Sequence, residues 1–435
     1  MSNVAIGGLV ILFLFVLFAL GLEIGFAMAL AGFVGFATVV NTSAALNLLA
    51  KDVFSVFTSY GFTVIPLFVL MGQIGASGGV ARSLYDCAYR FVGHIPGGLS
   101  IGTVVAATAF KAICGSSPAT AATFATVAVP EMDRYGYDKR LSCGTVATVG
   151  TLGVLIPPSV TLIVYGILTE TSIGRLFLAG IVPGLLIAVS FVVTLVVWCR
   201  VNPGLGPAGE RSTWASRLRS LPPVFWVLVV FLVVVGGLMK GFFTPTEAGS
   251  VGSFAVLLLT ALKGEMTPRR FAKSVLDTLR IACMVITLIA GATIMGHFFV
   301  VTQIPSHVAL WLAGLDLPRF AVMLIIIAVY LIGGSFIEDL AFLILATPIF
   351  LPVVLNLGYD PVWFGVIVAV VTMIGVILPP MAINAFVVSG VTGTPAGTIY
   401  RGIYPHLAGM SLCLVIFLLF PEISLWLPNR FMGAG

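Results

Sequence analysis

Apolar runs without a single charged residue recur along this sequence, at 4–22, 176–199 and 223–239, and the longest extends from 361 to 400. That feature constrains the fold more than any other. The hydrocarbon core of a bilayer is about 30 Å thick and is crossed by roughly 20 helical residues. Lipid offers no partner to a backbone N–H or C=O, so a spanning segment is either a helix or part of a closed barrel. The short apolar-polar alternation of barrel strands is absent here. The composition agrees: 60% of the 435 residues are hydrophobic and 9% are charged, against about 25% charged in soluble domains. The mean hydropathy is +1.17. The sequence therefore predicts an all-α polytopic membrane protein, with spans at 4–21, 24–41, 53–78, 141–168, 173–199, 223–239, 246–262, 281–301, 361–391 and 400–420. The run Val4–Leu22 has no basic leader and no small-residue cleavage site, and reads as a retained first helix.

Two stretches, 98–130 and 318–355, are too long for one span, and neither has a charged turn in the middle that could reach water on the far side. An internal repeat accounts for them. VPEMDRYGYD (129–138), TLGVLIPPSV (151–160) and GIVP (180–183) return as LPVVLNLGYD (351–360), TMIGVILPPM (372–381) and GIYP (402–405). One constant offset of 222 residues relates Gly136-Tyr137-Asp138 to Gly358-Tyr359-Asp360, Pro157-Pro158 to Pro379-Pro380 and GIVP to GIYP. The expectation is a tandem duplication, 1–222 and 223–435. Each half would hold scaffold helices, a re-entrant hairpin (98–130, 318–355) and a broken helix (141–168, 361–391). If the repeats are inverted, the loops 79–96, 131–140, 200–222, 263–280 and 392–401 share one face. Fifteen Lys and Arg then fall on that face, against five on the other, with Lys111 left inside the first hairpin. By the positive-inside rule the basic face is cytoplasmic.

The middle of the first hairpin reads Gly115-Ser116-Ser117-Pro118. Irregular backbone at membrane depth survives only where protein or a water-filled cavity covers it. Ser116 and Ser117 are suited to cap a helix beginning at Pro118, since serine favours the N-cap and proline the first turn. That helix would aim the positive end of its dipole at the tip, while the preceding helix ends there with free carbonyls. In isolation, GSSP would serve equally as a kink in a buried helix. The second hairpin argues otherwise, because Gly333-Gly334-Ser335 and Glu338-Asp339 interrupt it at the corresponding place, and intramembrane acids are costly and usually functional. As a plain structural device, the acidic pair would stabilise a helix N-terminus.

Pro157-Pro158 and Pro379-Pro380 each remove two donors from a spanning helix and are expected to leave carbonyls near 153–154 and 375–376 unpaired. A single proline would often be a mere kink. Interrupted helices at matching places in two repeats point instead to a transporter's ion and substrate sites.

Enzymatic and other functions find no support in the residues. Six cysteines stand singly within apolar segments and the four histidines show no ligand spacing. HExxH, Walker A, GxSxG and DExD patterns are absent, and a net charge of +5 says nothing about nucleic acid. No cofactor is expected.

The blocks GSSPATAAT (115–123), TLGVLIPPS (151–159), TSIGRLFLAGIVPG (171–184), GFFTPTEAG (241–249) and ILPP with the helix that follows it (377–391) carry a resemblance. The chain resembles, over essentially its whole length, the large membrane subunit of tripartite ATP-independent periplasmic (TRAP) transporters. The resemblance implies an inverted-repeat, elevator-type fold of the ion-transporter superfamily in the bacterial inner membrane. It implies sodium-coupled uptake of an organic acid, a carboxylate or sugar acid, delivered by a periplasmic binding protein, and a separate small four-helix membrane subunit. Sodium is the only ion implied. The sodium sites would pair each hairpin tip with the neighbouring break. The first would comprise Gly115, Ser116, Ser117 and Thr120 with Gly153, Val154 and Pro157. The second would comprise Gly334, Ser335, Glu338 and Asp339 with Gly375, Val376 and Pro379. Substrate would meet Ser117, Pro118, Ser159, Asp339 and Asn384. The second half departs from the family pattern: Glu338 stands for an aspartate, Leu378 for a threonine, Val371 for an asparagine and Ala382 for a glycine. The competing expectation is a stand-alone sodium/carboxylate symporter of the same superfamily, against which the TPTEAG block argues.

Overall fold

The computed structural model describes residues 3–314 and 317–433, and among them every regular element is a helix. Eight of these helices are long and apolar enough to cross a membrane. The predicted spans reappear with two main differences. The span expected at 53–78 is two helices, Thr42–Thr58 and a stretch from Tyr60 to Ser77, parted where Ser59 is extended. The span expected at 281–301 is the end of a 35-residue helix, Pro268–Thr302. Its length of about 52 Å exceeds the bilayer, and Arg269, Arg270 and Lys273 on its first turns are exposed. An unforeseen helix, Val80–Val92, packs its buried face of Val80, Ala81, Leu84, Tyr85, Cys87 and Ala88 against Gly98–Lys111.

Both long stretches are helical hairpins. Gly98–Lys111 turns back into Ser117–Arg134, and Arg319–Phe336 into Asp339–Asn356. The returning arms begin and end 222 residues apart. The breaks follow the same register. Lys139–Gly150 runs into a short turn at Thr151–Val154 and resumes as Val160–Leu168; Pro361–Gly375 resumes as Ile383–Thr392. Asp138 and Asp360 cap these helices alike, accepting from the backbone N–H of Arg140 and of Val362 and Trp363. Both diproline bonds are cis.

The halves interlock. Ile383–Thr392, from the second broken helix, packs on Ser117–Arg134 of the first hairpin, and Val160–Leu168 packs on Asp339–Asn356 of the second. Around this core stands a scaffold in which Ile24–Val39 lies along Pro268–Thr302. A Cβ on Gly32 would come within 2.7 Å of the Met295 backbone, so glycine is what lets these two helices approach so closely.

The five basic loops lie together. Gly97 N donates to Gly206 O (2.8 Å), Gly209 N to Gly93 O (2.8 Å) and Asp138 N to Leu205 O (2.9 Å), joining the first three. Gly79 sits against Glu265, which brings in the fourth, and Cys143 Sγ lies 3.5 Å from Thr394 Oγ1, which brings in the fifth.

Candidate functional site

The first tip is built as the residue types require. Ser116 is extended and its Oγ accepts from Ala119 N at 3.4 Å, making it the N-cap. Ser117 is not a second cap but the first helical residue. Its hydroxyl faces Asn384, whose fully buried Nδ2 donates to Ser117 Oγ and to Ala147 O, both at 3.0 Å. Asn384 thereby ties the first hairpin to both broken helices. A Cβ on Gly115 would fall 2.4 Å from Pro158 O, so only glycine lets the tip rest on the proline break.

Lys111 lies at this same junction. Its side chain is fully buried, and Nζ donates to Ser116 O at 2.9 Å and to Thr120 Oγ1 at 2.6 Å. Gly153 makes room for it, since a Cβ there would stand 2.3 Å from Nζ. Of the residues expected to surround the first cation, Ser116, Thr120 and Gly153 thus surround an ammonium. The signal for it was present in the sequence as a lone lysine in an apolar run.

At the second tip, Gly334 meets Gly375 backbone to backbone: a Cβ on Gly375 would lie 2.8 Å from Gly334 C and O. Met381 N donates to Ser335 O at 3.3 Å, and Ser335 Oγ donates to Ile332 O at 2.7 Å. Glu338 caps the returning arm, accepting from Ala341 N at 3.2 Å, and Asp339 is buried as its first helical residue.

One cavity of about 370 Å³ joins the two tips. Gly115, Ser116, Ser117 and Pro118 line it on one side, Glu338, Asp339 and Leu340 on another, and Val154, Val160 and Thr161 on a third. Three helix N-termini therefore converge on it, those of Ser117–Arg134, Asp339–Asn356 and Val160–Leu168. Each turns the positive end of its dipole toward it, with one first-turn N–H already taken by the cap: Ala119 N by Ser116, Ala341 N by Glu338 and Leu162 N by Ser159. Val69, Ile281, Met284 and Val285 from the scaffold close the remaining wall. Thr161 was not foreseen, although the start of the resumed helix after PPS was a readable signal.

Other expectations change. Ser159 does not face the cavity: its Oγ accepts from Leu162 N at 3.2 Å as an N-cap and donates to Val154 O at 2.5 Å. That bond also satisfies one of the carbonyls expected to be free. In the second break, Gly375 O accepts from Leu378 N at 3.1 Å and Val376 O from Asn384 N at 3.4 Å. At the first tip, Phe110 O accepts from Ile113 N and Cys114 N, both at 3.1 Å. The turns after each break fold back far enough to supply the donors that proline removes. Ala382, in place of the family's glycine, has a left-handed backbone with φ +30°. Pro157 and Pro379 belong to the breaks and are not among the residues lining the cavity.

Outside the membrane-spanning segments, the Arg140 guanidinium hydrogen-bonded to Asp138 holds that carboxyl below the usual range. The TPTEAG block forms a capping box: Thr244 Oγ1 accepts from Glu247 N at 3.3 Å and Glu247 Oε2 from Thr244 N at 2.8 Å.

A family model described as the DctM component of the tripartite ATP-independent periplasmic transporters matches residues 11–423. The chain is 38% identical to the C4-dicarboxylate TRAP transporter large permease protein DctM of Pseudomonas aeruginosa, over 88% of this chain and 89% of that one. It is 32% identical to the sialic acid TRAP transporter large permease protein SiaM of Vibrio cholerae, over 95% and 96%. Among solved structures, the YdaH transporter of Alcanivorax borkumensis superposes with a TM-score of 0.61 at 15% identity, covering 88% of this chain and 90% of that one.

Proposed function

We infer the function from one premise: this chain belongs to the DctM family, the large permease subunits of TRAP transporters. We propose that it imports an organic acid across the bacterial inner membrane, coupled to sodium. A periplasmic binding protein would deliver the acid, and a small four-helix membrane subunit would complete the permease. The relatives' names include C4-dicarboxylate and sialic acid carriers, which supports the substrate class.

The observation that carries the reading is the cavity where three helix N-termini meet beside two acidic side chains. Helix N-termini favour a carboxylate. Glu338 and Asp339 would repel one unless a cation stood between them and the substrate. Sodium at the second tip, against Gly334, Ser335, Gly375 and Val376, reconciles the two and makes substrate and ion binding depend on each other. The interlocked hairpins and broken helices form one mobile body in this reading, carried as an elevator past the scaffold. The two inverted repeats are 1–222 and 223–435, and the face bearing the joined basic loops is cytoplasmic.

In proteoliposomes containing both membrane subunits, Glu338→Gln should abolish sodium-driven uptake or raise the sodium requirement. Wild-type sodium dependence in that variant would refute the second-tip site. Uptake without any added binding protein would favour the stand-alone symporter instead.

A further inference from the structure

A buried ammonium with no carboxylate beside it is expensive at membrane depth. The ion pairs among the described residues involve other side chains, so no anion offsets Lys111. One ordinary explanation is a basic residue closing the last turn of Gly98–Lys111, where the helix dipole is negative. The contacts do not follow that pattern. Nζ reaches past its own helix to the carbonyl of Ser116 in the tip and the hydroxyl of Thr120 in the returning arm, and lies against Gly153 of the broken helix. An oxygen-lined junction between a hairpin tip and a break is where the second half brings Gly334 and Ser335 against Gly375 and Met381. The second half has no counterpart of the lysine: the residue 222 positions on from Lys111 is Gly333.

We propose that Lys111 is a tethered cation that fills the first junction in place of a coupling ion. An ammonium and a sodium ion carry the same charge, and carbonyl and hydroxyl oxygens satisfy both. A sodium ion is released on one side of the membrane and so supplies driving force. The lysine is bonded to the chain and returns with it, so it holds the first tip closed on its break and contributes nothing to accumulation. All exchangeable sodium is then bound elsewhere, at the second tip on the reading above, on which the transport consequence rests.

The test counts sodium ions bound to the purified two-subunit permease with ²²Na⁺, using choline as the replacement cation. Lys111→Ala vacates the position and should bind one more sodium ion than wild type. Lys111→Met fills the space without charge and should bind no more than wild type. If Lys111→Ala is recovered folded in sodium but not in choline, the ion has replaced the ammonium and the proposal stands. Equal loss of the variant in both salts, or an unchanged sodium count in folded Lys111→Ala, overturns it. Wild type that binds no sodium refutes the sodium-coupled reading, while a sodium ion gained by Lys111→Ala would still uphold the tethered cation.

Discussion

Gly375→Ala probes the second junction with a perturbation whose size can be read from the structure. The added Cβ would stand 2.8 Å from Gly334 C and O and 3.2 Å from Gly334 Cα. Ordinary van der Waals contact begins near 3.4 Å, so the two backbones must part by at least about half an ångström at their closest atoms. No rotamer relieves this, because the groups on both sides are main chain. Overpacking of this kind costs about 1–3 kcal/mol. Strain of that size carried by the ion-bound form corresponds to roughly 5- to 150-fold weaker sodium binding. Gly334→Ala is the matched control, since its Cβ would meet nothing closer than Gly375 Cα at 3.9 Å. Sodium titration of uptake in proteoliposomes, with thermal unfolding of the same preparations, reads both variants. Gly375→Ala should shift the sodium midpoint upward and Gly334→Ala should leave it in place. Wild-type behaviour of Gly375→Ala, or equal damage from both, would refute the reasoning.

Asn384→Ala should lower the stability of the permease by about 1–3 kcal/mol by stranding the Ala147 carbonyl and the Ser117 hydroxyl, read as a lower melting temperature. Ala382→Gly should raise it by about 1 kcal/mol, because a left-handed backbone at a residue with a Cβ costs about that much. Asp138 has a depressed carboxyl, so its stabilisation is fully present above the unfolded-state carboxyl range and is lost as pH falls through the lowered value. Asp138→Asn should therefore flatten the acid side of melting temperature against pH. In a cysteine-free background, Phe242→Cys should react with an impermeant thiol reagent from the periplasm and Arg269→Cys should not; the reverse pattern contradicts the charge-based orientation.

The sequence made the architecture legible because a bilayer allows few solutions. Apolar runs gave the spans, and the repeated GYD, PP and GI-P segments anticipated hairpin arms that begin and end 222 residues apart. What it could not give was pairing between distant segments. Ser117 read as a cap, whereas its hydroxyl meets Asn384, 267 residues away. The resemblance implied Ser159 as a substrate ligand, whereas local bonds to Val154 O and Leu162 N consume it. Amphipathic Val80–Val92 escaped a reading tuned to hydropathy, since it lies along the core with one apolar face only. Lys111 was visible as an intruder in an apolar stretch, but its destination depended on how the tip folds back.

The central claim, that sodium at the second tip and an organic acid in the adjoining cavity bind interdependently and enter together, is tested most directly by transport. Proteoliposomes holding both membrane subunits would be given the binding protein loaded with its radiolabelled acid. An inward sodium gradient should drive accumulation above equilibrium, and dissipating that gradient should abolish it. Accumulation that persists without sodium, driven equally well by a proton gradient, would contradict the account.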